Sequence, residues 1–303
     1  MDSILSRTLS QTQKIVSQRN KELEPIRSSE LVAVPKGFIN YNRMIGNPIH
    51  PGTGKPTDIF DFQDEYSTKW SKYHKIMLNK ARKLGATETG VRKIGNLCLD
   101  GTYSNHRVMI VAGNKQSMAN RFLERFLAQW HQKGFDDAKG KHWDYNDIVL
   151  EESSSKADLI NNVHVEAYPA TEAVRGEENV ICVYMIECAF TDMIDDTKVY
   201  NALHPVIANI PDADFIMEST PNGKRGFFWT NWDASSEYHK LELPYTRALN
   251  KLLTPEFIEA EKKNPSIDFE QEYCCKFTTS SSSAFKESDI NFVEKEINNY
   301  DNL

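Results

Sequence analysis

Seven consecutive apolar residues, Val180-Ile181-Cys182-Val183-Tyr184-Met185-Ile186, constrain this chain more than any other stretch. A strand with one wet face alternates apolar and polar residues, because successive side chains point to opposite sides of the sheet. A run without alternation reads as a strand buried on both faces, as in a parallel sheet covered by helices. Arg107-Val108-Met109-Ile110-Val111-Ala112 reads as another buried strand, and Ala213-Asp214-Phe215-Ile216-Met217-Glu218 as a third. Helical patterns accompany them. Thr87 to Leu99 turns Val91, Ile94 and Leu97 or Leu99 inward, and Lys115 to Trp130 spaces Met118, Phe122, Phe126 and Trp130 four apart on an expected core face, with Leu123 and Leu127 beside them.

Open α/β sheets bind ligands beyond the carboxyl ends of their strands, so the residues just after each run matter most. Glu187 follows the longest run; a carboxylate there either orients a water for attack on a γ-phosphate or merely solvates a strand end. Ser219-Thr220-Pro221-Asn222-Gly223-Lys224-Arg225-Gly226 follows Glu218 as a polar turn carrying two hydroxyls. A third end lies within Ile76 to Glu88, where a short apolar run meets a basic turn and then Gly85-Ala86-Thr87, which can open a helix. The first N–H groups of a helix have no intrahelical partner and suit an anion. Against the pattern Gly-x-x-x-x-Gly-Lys-Ser/Thr, Lys80 stands where the first glycine belongs and Ala86 where the phosphate lysine belongs. Upstream, the amide of Gln63 offers the donor and acceptor that an adenine edge requires, although a surface helix position explains it as well.

The remaining sequence bounds the setting. A formal net charge of −7 argues against an overall basic coat for nucleic acid, without excluding contact through one face. The five cysteines show no metal-ligand spacing and suit a reduced, intracellular protein. No run is long enough to cross a bilayer. Residues 1–30 read as a peripheral helix or arm, and residues 31–60, rich in proline and glycine, as a loop-rich wrap. A helix through Trp70 and Tyr73, an edge excursion over 132–160 with a strand near Ile148 to Leu150, a strand Val163 to Ala167 and a helix over 195–209 ending near Pro205 follow. An edge strand is expected within 227–250, then a helix capped by Thr254. After an amphipathic piece from Asp268 to Phe277, Thr278 to Ser283 reads as a low-complexity linker.

These pieces, in this order, resemble the ATPase domain of a large terminase subunit, the motor that drives double-stranded DNA into a bacteriophage capsid. The resemblance covers roughly residues 55–285 and rests on the segment around Gln63, the loop Ala81 to Thr87, Arg175-Gly176, Glu187-Cys188-Ala189-Phe190 and Ser219 to Gly223, with Glu272 to Phe277 and Ala284-Phe285 at its end. It implies an α/β, RecA-like/ASCE P-loop NTPase fold: a mostly parallel central sheet flanked by helices. An accessory segment occupies 1–54, the ATPase core 55–277, and a linker remnant and tail 278–303. It also implies ATP and Mg²⁺ as cofactors, double-stranded DNA, a portal protein and a small terminase subunit as partners, and a ring of subunits at the procapsid in the host cytoplasm, with a monomer in isolation the other expectation. Nuclease activity is not expected, because the carboxylate cluster of a following nuclease domain has no room here. A helicase-like ATPase stimulated by nucleic acid, or a nucleotide-binding capsid or DNA-binding module with little hydrolysis, remains the alternative.

Carried onto this chain, the resemblance implies that Gln63, Lys83, Leu84, Gly85, Ala86, Thr87 and Glu88 form the nucleotide loop, and that Arg82 and Lys83 contact phosphates. Thr87 and Glu187 are the expected metal ligands, Glu187 also orients water, Ser219 and Thr220 couple hydrolysis to movement, and Arg175 is a candidate arginine finger. Two departures stand out. The family commonly carries Arg-x-x-Gly-Lys-Ser/Thr where this chain has Arg82-Lys83-Leu84-Gly85-Ala86-Thr87, and Asp-Glu where it has Ile186-Glu187. Lys83 can deliver its ammonium from the other side of the loop. An isoleucine cannot coordinate a metal, so either Glu187 takes over, another carboxylate enters, or hydrolysis is weak.

Overall fold

The computed structural model describes residues 31–278 apart from 51, 132, 172–173 and 191–195. The arm expected at 1–30, the linker beyond Thr278 and the tail lie outside the described residues. The chain runs α1 (Phe38–Ile45), α2 (Asp61–Tyr73), β1 (Lys75–Lys80), α3 (Ala86–Leu99), β2 (Arg107–Ala112) and α4 (Gln116–Ala128). A small hairpin, β3 (Phe135–Asp136) and β4 (His142–Trp143), leads through α5 (Tyr145–Ile148) to β5 (Val149–Glu152), β6 (Lys156–Leu159) and β7 (Val163–Tyr168). Then follow β8 (Val180–Ile186), α6 (Thr197–Leu203), β9 (Asp214–Ser219), α7 (Gly226–Ala234), β10 (His239–Leu243), α8 (Pro255–Lys263) and α9 (Phe269–Glu272).

One eight-stranded sheet organises these elements in the order β10-β1-β9-β8-β2-β7-β6-β5. Every pair from β10 to β7 is parallel, and only β6 and β5 join antiparallel at one edge. All seven residues of β8 are buried, which is why that strand shows no alternation in sequence. The chain leaves β1 and re-enters the sheet at β2, beyond the gap that β8 and β9 return later to fill. This reversal opens a crevice at the carboxyl ends of β1, β9 and β8.

Helix α3 starts at that crevice and is wrapped on nearly every side. Its Arg92 is satisfied by Glu88 Oε1 (2.7 Å), Asn42 Oδ1 (2.9 Å) and the Gly46 carbonyl (2.8 Å), so α1 and α3 are tied by a buried guanidinium. Close approach to the sheet depends on Gly90, where an added Cβ would stand 2.1 Å from the Tyr184 hydroxyl.

Three local expectations are corrected. The stretch read as a loop-rich wrap contains α1, whose Phe38, Tyr41 and Ile45 are buried at helical spacing between flanking Gly37 and Gly46. On α4 the core face comprises Ala119, Leu123, Phe126 and Leu127, while Met118 is 43% exposed and Phe122 only partly buried. A four-residue step advances about 400° around a helix, so a stripe drawn at that spacing drifts off one face within a few steps. Residues 226–234, read only as part of a region holding an edge strand, form α7, and the edge strand itself is β10.

Candidate functional site

The site is built from strand ends. Asn79 pairs in register with Ser219, and Ile186 with Glu218, so the carboxyl ends of β1, β9 and β8 finish side by side. After β1 the backbone is pinned by two bonds, Ala81 N–H to the Leu243 carbonyl (2.8 Å) and Arg82 N–H to the Glu272 carbonyl (3.0 Å). The turn then passes through Lys83 at φ 61° and Gly85 at φ 71°. A left-handed backbone at a residue with a Cβ costs about 1–2 kcal/mol, so Lys83 carries strain that the packed turn holds in place. Gly85 tolerates its conformation, and it leaves room for Gln63, whose Nε2 a Cβ on Gly85 would meet at 2.8 Å. No side chain caps α3 at Gly85, and the first-turn N–H groups of Ala86, Thr87 and Glu88 lack intrahelical partners.

Cations and carboxylates line a cleft of about 300 Å³ in front of this turn, among them Lys80, Arg82, Lys83, Glu187, Glu261 and Glu272. Lys80, at the end of β1, reaches past β9 and places Nζ 2.6 Å from Glu187 Oε1. Burial works against the Lys80 charge, but the carboxylates of Glu187 and Glu218 outweigh it and hold the ammonium above the ordinary lysine range. Glu187 itself sits at φ 53°, a second strained position at the cleft. Arg82 pairs with Glu272 at 3.2 Å, and the Lys83 ammonium lies 4.5 Å from the centre of the Phe257 ring.

Behind the cleft, Thr87 donates its hydroxyl to Glu218 Oε1 at 2.6 Å, and Tyr184 donates to Glu218 Oε2 at 2.5 Å. Glu218 is fully buried. Burial pushes its carboxyl above the usual range, opposed by Lys80, Thr87 and Tyr184. Sequence reading passes over both Glu218 and Lys80 as site residues. The available signal is a charge at the last positions of otherwise apolar strands, where a buried ionic group requires a partner.

The other expected residues are distributed as follows. Gln63 is buried and braces the loop: its Oε1 accepts from Phe60 N–H (3.0 Å) and its Nε2 donates to the Leu84 carbonyl (3.3 Å). Leu84 and Ala86 are buried under the turn. Glu88 faces away, pairing with Arg92 (2.7 Å) and Arg125 (2.8 Å); burial raises its carboxyl, and the two guanidiniums overcome that and hold it below the ordinary value. Ser219 Oγ accepts from Ala189 N–H (3.1 Å) and Asn222 Nδ2 donates to the Ala189 carbonyl (2.9 Å), so the turn after β9 grips the segment after Glu187 from both sides. Thr220 is buried beside Ser219. Arg175 is exposed on the connection from β7 to β8 and is not among the residues lining the cleft.

A family model described as terminase large subunit, T4likevirus-type, N-terminal, matches residues 77–292. Among solved structures, the chain is similar to the large terminase of bacteriophage HK97, with TM-score 0.58 and 16% identity over 79% of this chain and 54% of that one. The large terminase of a thermophilic bacteriophage, in complex with ADP, aligns with TM-score 0.54 and 12% identity, covering 72% of this chain and 54% of that one. The same terminase in complex with ATP-gamma-S aligns with TM-score 0.51 and 12% identity, covering 72% and 52%. At such identities the likeness is one of fold, the RecA-like/ASCE P-loop NTPase fold, and the chain spans about half the length of these structures. No curated protein matches the chain.

Proposed function

Because the chain belongs to the terminase large-subunit family, N-terminal region, T4likevirus type, we propose that it is the ATPase motor domain of a large terminase subunit, coupling ATP hydrolysis to translocation of double-stranded DNA into a procapsid. The observation that carries this reading is the strained turn from Arg82 to Gly85, opening α3 at a crevice where Lys80 and Glu187 pair across the intervening strand β9. Open N–H groups of Ala86, Thr87 and Glu88 cradle phosphate oxygens through the backbone, which assigns Ala86 and Glu88 a role independent of their side chains. Arg82 and Lys83 supply positive charge at the mouth of the cleft once they leave Glu272 and Phe257. Gln63 keeps the Leu84 carbonyl, and with it the loop, in register.

The oxygen donors suit a hard divalent ion, since Mg²⁺ binds through one or two carboxylates plus phosphate oxygens, and the Thr87 hydroxyl sits at the helix start with a carboxylate 2.6 Å away. Thr87 and Glu187 are the residues the family reading assigns to it. A Mg²⁺ ion held there would supply neutralisation of the charge that develops on the transferred phosphoryl group. Glu187 orients the attacking water while Lys80 holds one of its two carboxylate oxygens. Ser219 and Thr220 transmit the state of that segment to β9, and Arg175 acts on a neighbouring subunit of a ring at the portal, with a small terminase subunit and DNA as further partners.

Turnover by the isolated chain is expected to be slow and nucleotide affinity modest, since positioned charge around the γ-phosphate sets the rate. Calorimetric titration with ATP and ADP in Mg²⁺, followed by phosphate release from the parent chain, Glu187→Gln and Ile186→Asp, tests this reading. Binding by all three with turnover abolished in Glu187→Gln supports it. Absence of nucleotide binding by the parent overturns it in favour of a non-enzymatic module.

A further inference from the structure

The family's metal aspartate is expected where this chain has Ile186, and the residue that pairs with Ile186 in register on the next strand is Glu218. Glu218 also pairs in register with Leu78 on β1, so it stands between the strand that feeds the phosphate loop and the strand that ends just before Glu187. Moving a carboxylate one strand sideways displaces it by about 4.8 Å, and the longer glutamate stem returns part of that distance. The displacement is toward β1, the strand from which the loop and Thr87 emerge.

The surroundings of Glu218 point the same way. Both of its oxygens are aimed at hydroxyl groups: Oε1 lies 2.6 Å from Thr87 Oγ1 and Oε2 lies 2.5 Å from Tyr184 Oη. Tyr184 reaches it only because α3 carries Gly90 there, since a Cβ would stand 2.1 Å from the phenol oxygen. The carboxylate is 0% exposed, and the cation that acts on it, Lys80, is itself bonded to Glu187 at 2.6 Å, so two acidic groups share one ammonium. Glu187 is occupied differently, with Lys80 Nζ 2.6 Å from its Oε1. The two duties that adjacent Asp-Glu residues carry in the family are therefore separable here onto two strands.

We propose that Glu218, acting with Thr87, is the carboxylate that holds the divalent cation of the bound nucleotide, replacing the aspartate that Ile186 cannot supply. The assignment rests on the nucleotide-binding reading above, and it leaves Glu187 free of metal duty. Tyr184 is a positioning residue that fixes the second carboxylate oxygen, and Gly90 supplies the space it needs.

The test uses the full chain and measures metal binding rather than turnover. ADP affinity is determined calorimetrically in Mg²⁺ and in EDTA, and bound Mn²⁺ is counted by electron paramagnetic resonance with ADP present. The parent is expected to bind ADP about tenfold more tightly with Mg²⁺ than without, as expected for a cation shared between protein and phosphate oxygens. Glu218→Gln, which keeps the size and one acceptor oxygen, is expected to lose that gain and the Mn²⁺ signal while binding ADP in EDTA at least as well as the parent. Adding Ile186→Asp to Glu218→Gln is expected to restore both. If Glu218→Gln fails to fold, Glu218→Asp carries the test, because it retains the charge but withdraws it by one methylene and is expected to lose part of the gain. A full Mg²⁺ gain in whichever of these two variants folds overturns the proposal while leaving the nucleotide site intact. A parent that binds no ADP under either condition overturns the nucleotide reading, and this proposal falls with it.

Discussion

Lys80 Nζ lies 2.6 Å from Glu187 Oε1, across the width of β9, with the lysine side chain 7% and the glutamate side chain 41% exposed. The pair joins the end of the loop strand to the residue expected to orient water. Removing the lysine leaves Glu187 able to find solvent but takes from fully buried Glu218 the ammonium that opposes its burial, so Lys80→Met is expected to cost about 1–3 kcal/mol of stability as well as to affect chemistry. Turnover should drop by about a hundredfold, the lower end of the range seen for general acid–base groups, with ATP affinity changed only a few-fold. Lys83→Ala is expected to show the opposite split, weakening ATP binding by about tenfold because a phosphate contact is lost. Calorimetry and phosphate release on both variants decide between these roles. An affinity loss larger in Lys80→Met than in Lys83→Ala would transfer the phosphate contact to Lys80.

Gly90 and Tyr184 set two effects of opposite sign against each other. Replacing a mid-helix glycine by alanine ordinarily stabilises by about 1 kcal/mol. Here the new Cβ would lie 2.1 Å from the Tyr184 hydroxyl, which is itself fully buried, and overpacking of this kind costs about 1–3 kcal/mol. The clash also takes one of two hydroxyl donors from Glu218. Gly90→Ala is therefore expected to be net destabilising by about 1–2 kcal/mol in urea unfolding. The ring carbon Cζ of Tyr184 would also lie 2.4 Å from the new Cβ, so Tyr184→Phe leaves most of the clash and only Tyr184→Ala removes it; the double variant with alanine at both positions should be more stable than the sum of the singles. Additivity would show that the Tyr184 ring does not limit this helix.

Much of the sheet is legible in the sequence because burial leaves a direct mark there. The run Val180–Ile186, the ends of β2 and β9 and the helix after Gly85 match their expected bounds nearly to the residue. What no local pattern carries is which strands become neighbours. The insertion of β9 between β1 and β8 is a fact of topology, and it is what brings Glu218 to Thr87 and lets Lys80 reach Glu187. Along the chain, Glu218 is only a charge near the end of one strand and Lys80 a failed glycine. Helix α1 is obscured for a different reason: the glycines and prolines around it mark its ends, and they outweigh an eight-residue interior whose apolar spacing is already helical. Met118 falls outside the core because four-residue spacing alone does not hold one face of a helix.

The turn after β9 grips Ala189 at both its N–H, through Ser219 Oγ (3.1 Å), and its carbonyl, through Asn222 Nδ2 (2.9 Å). On the coupling role proposed for Ser219, movement of the segment after Glu187 would pass to β9 through these two bonds. Ser219→Ala removes the acceptor for a part-buried N–H and is expected to cost about 1–2 kcal/mol of stability. In a motor the larger consequence is uncoupling. ATP hydrolysis should persist within a few-fold, while DNA movement in a packaging assay with procapsids falls by at least about tenfold. Packaging that declines only in step with hydrolysis would assign Ser219 a structural role alone.

Asp137 gives the sharpest pH prediction, and it lies away from the cleft. Burial alone would raise its carboxyl, but donors from Trp143 Nε1 and the N–H groups of Ala33, Lys139 and Lys141, at 2.9–3.1 Å, bring it down to about 2. These bonds fasten the extended segment before α1 to the hairpin of β3 and β4. An aspartate in the unfolded chain titrates near about 3.9. Because the folded value is the lower one, the contribution to stability is fully present above about pH 4 and is lost as pH falls toward about 2. Asp137→Asn keeps the shape but removes the charge and one acceptor, so it is expected to lower stability at neutral pH by about 1–3 kcal/mol. It should also flatten the decline between about pH 4 and pH 2. Urea unfolding midpoints for parent and variant across that range provide the measurement, and an unchanged acid slope in the variant would show that other carboxylates govern acid unfolding.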